Sequence, residues 1–265
     1  NSPVFTSDTT FSAAENQTTV GTVTASDADG DASDPVIFTV SGSELLISSA
    51  GVLTFASAPD YETKTFYTAT VTASDETNTT TQNITVSVTN LNDNSPVFTS
   101  DTTFSAAENQ TSIGTVTASD ADGETLSYSI SGTDASSMTI NLSSGTLQTL
   151  QLSFNSAPDY ETKTSYTATV TASDGTNTTN QNITVNVTNL NDNLPVFTSD
   201  TTFSAAENQT SIGTVTATDG DVSDTVTFTV SGSELLISSA GVLTFASAPD
   251  YETKTSYTGT VTASD

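Results

Sequence analysis

Short runs of alternating apolar and hydroxyl residues recur along the whole chain. In "YTATVTASD", Tyr67, Ala69, Val71 and Ala73 alternate with Thr68, Thr70, Thr72 and Ser74. In "NITVSVTN", Ile84, Val86 and Val88 alternate with Thr85, Ser87 and Thr89. A period of two predicts strands with one buried face and one wet face. Similar runs near 18–25, 35–40, 44–48 and 51–55 are separated by Gly, Asp, Asn or Pro, and nothing has the period of a long amphipathic helix. With the opening Pro-Val-Phe this makes about seven strands in the first third of the chain, the arithmetic of a β-sandwich.

The pattern then returns. "SPVFTSDTTFSAAENQT" at 2–18 recurs at 95–111, and "LPVFTSDTTFSAAENQT" occupies 194–210. The segment "SELLISSAGVLTFASAPDYETKT" is identical at 43–65 and 233–255, and the middle copy replaces its first part with a longer insert, "TDASSMTINLSSGTLQTLQLSF". Periods of about 95 residues are whole domains in tandem, because a solenoid unit is far shorter. The expected domains are 1–93, 94–192 and 193–265, the last lacking the counterpart of "TQNITVSVTN". Either the chain is part of a longer array or a neighbour supplies that strand.

Composition narrows the chemistry. Among 265 residues there are 31 acids against Lys64, Lys163 and Lys254, a formal charge of −28, with no His, Cys or Trp. Such a surface repels nucleic acid and anionic membrane and attracts cations. The missing Cys and His exclude disulfides, thiolate metal sites and most nucleophilic or acid–base catalysis, so no enzyme is expected. No stretch reads as a membrane span or a signal peptide. A domain of about 90 residues without disulfides buries a modest core, and bound metal is one way to supplement it.

The acids recur in register. Each repeat carries "AEN", "SDADG" (in the third "TDGD"), "PDYE" and "ASD", and "NLNDN" lies between repeats. Hard cations such as Ca²⁺ take six to eight oxygens from carboxylates, amides and carbonyls. One DxD is weak, since exposed acids are usually a solvated surface. The whole ordered set, repeated, is strong. A pair of carboxylates also suits glycoside hydrolysis, but the pairs recur in every repeat and no aromatic-lined substrate site accompanies them.

In that order and at those spacings, "AEN", "DADG", "DYE", "ASD" and "NLNDNSPVF" resemble a cadherin repeat, over essentially the whole chain. The resemblance implies an all-β chain of tandem Greek-key, seven-strand, immunoglobulin-like sandwiches in a rod, with up to three Ca²⁺ at each junction. Carried onto this sequence, the first junction takes Glu15, Asp60, Glu62 and Asp93, with Asn90, Leu91, Asn92 and Asn94 from the linker and Asp120, Asp122 and Asp174 from the second domain. The second takes Glu108, Asp159, Glu161 and Asp192, with Asn189, Leu190, Asn191 and Asn193, and Asp219, Asp221 and Asp265 from the third domain. Half-junctions are Asp27, Asp29 and Asp75 at the start, and Glu207, Asp250 and Glu252 at the end. Most of the acids thus fall to one mechanism. The family's acid at the linker opening is Asn90 and Asn189 here, which removes one carboxylate per junction and bears on the middle ion. Its Arg in the third motif is Tyr61, Tyr160 and Tyr251. Adhesion by insertion of an N-terminal Trp is unavailable to a chain without Trp.

The expected role is a calcium-stiffened extracellular segment that spaces or joins cell surfaces. Acidity, absent Cys and near-identical repeats point towards a microbial surface adhesin, sheath or filament. Two rival readings keep the fold: a polysaccharide-binding module, and a subunit of a self-assembling filament with strand donation. The expected partners are calcium, like chains or surface glycans, with no nucleic acid and no membrane insertion. Nine N-x-Ser/Thr sequons occur, as chance supplies in a chain rich in Asn, Ser and Thr. The three lysines share one position, "YETKT", and are expected as exposed strand-edge residues.

Overall fold

The computed structural model describes residues 1–28, 35–142, 149–221 and 224–265. The alternating runs are strands. In the first repeat these are β1 (Val4–Phe5), β2 (Thr10–Ala14), β3 (Thr19–Thr22), β4 (Ala25–Ser26), β5 (Ile37–Val40), β6 (Leu45–Ile47), β7 (Val52–Phe55), β8 (Phe66–Ser74) and β9 (Thr79–Thr89). The second has β10 (Val97–Phe98), β11 (Thr103–Ala107), β12 (Ser112–Ser119), β13 (Ser127–Ser131), β14 (Met138–Leu142), β15 (Thr149–Phe154), β16 (Ser165–Ser173) and β17 (Thr178–Thr188). The third has β18 (Val196–Phe197), β19 (Ser211–Thr214), β20 (Ala217–Thr218), β21 (Thr227–Val230), β22 (Leu235–Ile237), β23 (Val242–Phe245) and β24 (Val261–Ser264). Among the described residues the one helical element is a 3-10 turn at Ala135–Ser137.

The second repeat shows the topology most fully, with sheets ordered β11-β17-β16-β13 and β10-β12-β15-β14. Its opening segment serves both sheets: β10 runs antiparallel to β12 and β11 runs parallel to β17. Counted as one interrupted strand, β10 and β11 bring the total to the expected seven. The first repeat repeats this plan, with the sheet β2-β9-β8-β5 beside β3-β7-β6 and the pair β1-β4. The insert of the second repeat keeps the β14–β15 hairpin pairing of β6–β7, and its middle, 143–148, lies outside the described residues.

The chain forms two compact units. One comprises Asn1–Thr99, Ala118–Tyr128 and Thr171–Thr179; the other comprises Ser100–Thr117, Ser129–Val170 and Asn180–Asp265. The division runs through the middle repeat, so each unit holds one linker with acid-bearing loops on both sides of it.

The period-two reading holds at atomic level. Ile84, Val86 and Val88 of β9 and Ile183, Val185 and Val187 of β17 are buried, each at most 4% exposed, and Val71 and Ala73 of β8 are fully buried. Phe55 meets Tyr67 edge-on at 5.0 Å, and the same pair recurs as Phe154–Tyr166 and Phe245–Tyr257. Gly51 and Gly241 turn the hairpins at φ +84° and +82°; a Cβ at either would lie 2.1 Å from the carbonyl oxygen of Val23 or Val215. The lysines are anchored: Lys64 to Glu44, Lys163 to Asp134 and Lys254 to Glu234, each ammonium also over a Tyr ring at 4.3–4.6 Å.

In the third repeat residues 202–206, the counterpart of β2, and 256–260, the counterpart of the first part of β8, are outside any strand. They border a groove of about 510 Å³ lined by Phe203, Ile212, Val215, Leu235, Leu243 and Phe245. In the other two repeats β9 and β17 fill the corresponding place.

Candidate metal centres at the linkers

Glu15 follows β2 and is 2% exposed. Its two carboxylate oxygens accept the N–H of Tyr61 at 2.7 Å and of Leu91 at 2.8 Å, tying the "DYE" loop to the linker. Glu108 repeats this with Tyr160 at 2.8 Å and Leu190 at 2.7 Å. Both are buried because the turn after the opening strand folds under the linker. That turn needs the next residue left-handed, and Asn16, Asn109 and Asn208 adopt φ of 62–63°, a conformation Asn tolerates. The amides of Asn16 and Asn109 then donate to Asp93 and Asp192 of the linkers.

Ligand oxygens of Glu15, Glu62, Asp93 and Asp122 lie within 4.8 Å of one another, and those of Glu108, Glu161, Asp192 and Asp221 do the same. Each cluster joins the repeat before the linker, the linker itself and the DxD loop after it. Asp122 is oriented by the linker backbone: its Oδ2 accepts the N–H of Asp93 at 3.0 Å and of Asn94 at 2.8 Å. Asp221 accepts those of Asp192 at 3.1 Å and Asn193 at 2.8 Å. Further groups are Asp120, Asp122 and Glu124; Asp219, Asp221, Asp224 and Asp265; and Glu207, Asp250 and Glu252.

Not every expected residue joins these groups. Asp60 and Asp159 cap their own loops, accepting the Thr63 and Thr162 hydroxyls at 2.8 and 2.9 Å. Asp174 sits beside the first linker, where its backbone carbonyl accepts the Asn92 amide, and its Oδ1 accepts the N–H of Thr176 and of Asn177. The amide of Asn90 reaches the Asp122 carbonyl at 2.9 Å. Asp27 lies in no such cluster among the described residues, and Asp29 lies outside them. Asp75 is held by its own turn: the backbone N–H of Asn78, against some desolvation, lowers its carboxyl to about 2.

Three kinds of residue escaped the sequence reading. Asn177 donates to Asp174 and to the carbonyl of Asn94 at 2.9 Å, so a side chain met as a sequon braces the linker. Asn16 and Asn109 contact the linker acids, and the repeated "AEN" was their signal. Glu124 and Asp224 join the clusters without belonging to any motif singled out above.

The electrostatics match the geometry. Burial pushes the Glu62 carboxyl up, and the charges of Glu15 and Asp122 add to it. Glu161 is raised by burial and by Glu108 and Asp221. Two unit charges ~5 Å apart repel by roughly 3 kcal/mol at an effective dielectric of about 20, so four clustered carboxylates strain the linker unless a cation joins them. The donor set is entirely oxygen, as a hard cation requires. The Oδ1 atoms of Asn90 and Asn189 and the Oδ2 atoms of Asp120 and Asp219 are buried with no hydrogen-bond partner in the structure. Buried acceptors are normally satisfied, so these fit metal-ligand positions.

Tandem sandwiches with a split opening strand, joined through acid-clustered linkers, define a modular chain of β-sandwich repeats. Residues 102–188 match the family model described as "Cadherin domain". Human Cadherin EGF LAG seven-pass G-type receptor 2 is 32% identical over 237 residues, covering 82% of this chain and 8% of that protein. Human Protocadherin Fat 1 is 39% identical over 166 residues, covering 57% of this chain and 4% of that protein. The chain thus spans under a tenth of these relatives. The structure of mouse Cadherin-23 EC22-24 superposes with a TM-score of 0.74 at 24% identity, covering 100% of this chain and 94% of that one. The Protocadherin gammaB7 EC3-6 cis-dimer structure gives 0.70 at 26% identity, covering 96% and 67%.

The chain belongs to the cadherin repeat family. It is an extracellular, non-catalytic module, and cadherin domains generally bind calcium. No helix among the described residues is long and apolar enough to cross a membrane.

Proposed function

We propose that this chain is a calcium-locked segment of an adhesive or spacing surface protein, with domains at 1–93, 94–192 and 193–265 and up to three Ca²⁺ at each complete junction. One observation carries this reading: the two four-carboxylate clusters, built in the same register from the acids of both flanking repeats and of the linker. At the first junction Glu15, Asp60, Glu62 and Asp93 of the first repeat and linker, with Asp120, Asp122 and Asp174 of the second repeat, would hold the ions, and Asn90, Leu91, Asn92 and Asn94 would add neutral oxygens. Glu108, Asp159, Glu161, Asn189, Leu190, Asn191, Asp192, Asn193, Asp219, Asp221 and Asp265 play the same parts at the second. The bound cation neutralises the clustered charge and fixes the linker backbone; without it the carboxylates repel and the linker loosens. Affinity in the millimolar to submillimolar range is expected of an extracellular module.

Calorimetric titration of the chain and of Asp93→Ala tests this. The substitution is expected to remove calcium uptake at the first junction and spare the second, and hydrogen exchange at 91–94 is expected to slow with calcium only in the unmodified chain. Absence of calcium uptake by the unmodified chain, or equal loss at both junctions, overturns the reading.

A further inference from the structure

Asp224 has no place in the ligand set described so far, yet its carboxylate stands among that of Asp219, Asp221 and Asp265, with ligand oxygens within 4.8 Å of one another. Its Oδ2 and that of Asp219 are buried and have no hydrogen-bond partner in the structure. An acidic surface residue turns its oxygens to water. A buried carboxylate oxygen aimed at three other carboxylates, with nothing donating to it, is stable only if a cation completes the group.

The chain fixes this acid in place. Val226, two residues on, packs into the core of the third repeat beside buried Phe228, the aromatic of β21. Asp224 thus stands four residues before that aromatic. The second repeat has Glu124 four residues before Tyr128, with Leu126 buried at 3% exposure, and Glu124 groups with Asp120 and Asp122. The first repeat has Asp34 at the same distance before Phe38, a match of sequence alone because Asp34 lies outside the described residues. The loops ahead of these strands differ in length and composition, but the acid keeps its distance from the strand.

We infer that Asp224, and Glu124 in the second repeat, are additional carboxylate ligands of the Ca²⁺ held by the DxD loop. This inference rests on the calcium reading above. Each returns to its junction one negative charge, where the linker opens with neutral Asn189 or Asn90. Asp221 belongs both to this group and to the cluster with Glu108, Glu161 and Asp192, so it would serve cations in either group, and Asp224 would add negative charge to the group that Asp221 shares with Asp219 and Asp265.

The test is calcium calorimetry on the whole chain beside Asp224→Asn, with Asp192→Asn and the exposed Asp200→Asn as references. Asp224→Asn keeps the side chain's shape and removes its charge, so one class of sites is expected to weaken by about tenfold, since ligand charge count tunes calcium affinity. Asp200→Asn is expected to titrate like the unmodified chain. Thermal unfolding separates a ligand from a mere structural brace. In chelator, losing one of four mutually repelling charges leaves the midpoint unchanged or raises it; in calcium the same variant melts earlier than the unmodified chain. If Asp192→Asn weakens binding while Asp224→Asn superposes on the unmodified chain, the inference is wrong and the calcium reading stands. Equal destabilisation of Asp224→Asn in chelator and in calcium also overturns it. If the unmodified chain takes up no calcium, both readings fall.

Discussion

Replacing Glu15 by Ala probes how the linker is held before any ion arrives. Glu15 is 2% exposed and accepts two backbone N–H groups, from Tyr61 at 2.7 Å and Leu91 at 2.8 Å. Hydrogen bonds to a charged group contribute about 1.5–3 kcal/mol each, and desolvation of the carboxylate offsets part of the sum. A net loss of about 3 kcal/mol in chelator is therefore expected, roughly a hundredfold in the local opening equilibrium. Glu207 is the internal control: it is exposed, and its Oε2 accepts the Tyr251 N–H at 3.0 Å. Glu207→Ala should cost about 1 kcal/mol or less. Amide exchange reads both: Tyr61 and Leu91 should exchange about a hundredfold faster in Glu15→Ala, and Tyr251 less than tenfold faster in Glu207→Ala. Calcium at a hundredfold above its dissociation constant adds about 2.7 kcal/mol per site to the unmodified chain. If the two substitutions accelerate exchange equally in chelator, buried paired acceptance is not what secures the linker.

Trypsin has only Lys64, Lys163 and Lys254 to cut after. The carbonyls of Thr65 and Thr164 accept Val88 and Val187, and strands β8 and β16 follow at once, whereas Ser256–Thr260 lie outside any strand. Cleavage is expected first after Lys254, with the other two sites protected in calcium and opened by chelation; mass spectrometry of a timed digest showing equal rates in calcium would contradict this. Asp134 gives a pH signature: its hydrogen bond from Lys163, then that from Thr167, holds its carboxyl below the ordinary range. A depressed folded value stabilises above the unfolded value of about 3.9 and is lost as pH falls below it through the folded value. Thermal melts from about pH 5 to about pH 2 should therefore be flatter in Asp134→Asn than in the unmodified chain; identical slopes would remove this ion pair from the acid response.

Strand periodicity, tandem repetition and the oxygen-rich linker were legible in the residues because each is a local property. Alternation in "NITVSVTN" is the pleat itself, and it places Ile84, Val86 and Val88 inward whatever strand lies beside them. The acids at Glu15, Glu62, Asp93 and Asp122 could be ordered as a set because the same motifs return in the same sequence. Their closeness could not be read that way. Glu15 and Leu91 are 76 positions apart, and they meet because β2 pairs in parallel with β9, which delivers the linker over the turn after β2. The same pairing brings Asn16 to Asp93, while Asn177 reaches the Asn94 carbonyl from the β16–β17 turn of the second repeat. Asp60 stays bonded to Thr63 of its own loop and is not among the clustered carboxylates. Asp224 stood in no motif because its position depends on Val226 and Phe228 seating in the core, and only the packed sandwich turns that spacing into a carboxylate aimed at Asp219 and Asp265. Periodicity is written along the chain, whereas a cation site is written across it, in oxygens that topology gathers from loops tens of residues apart.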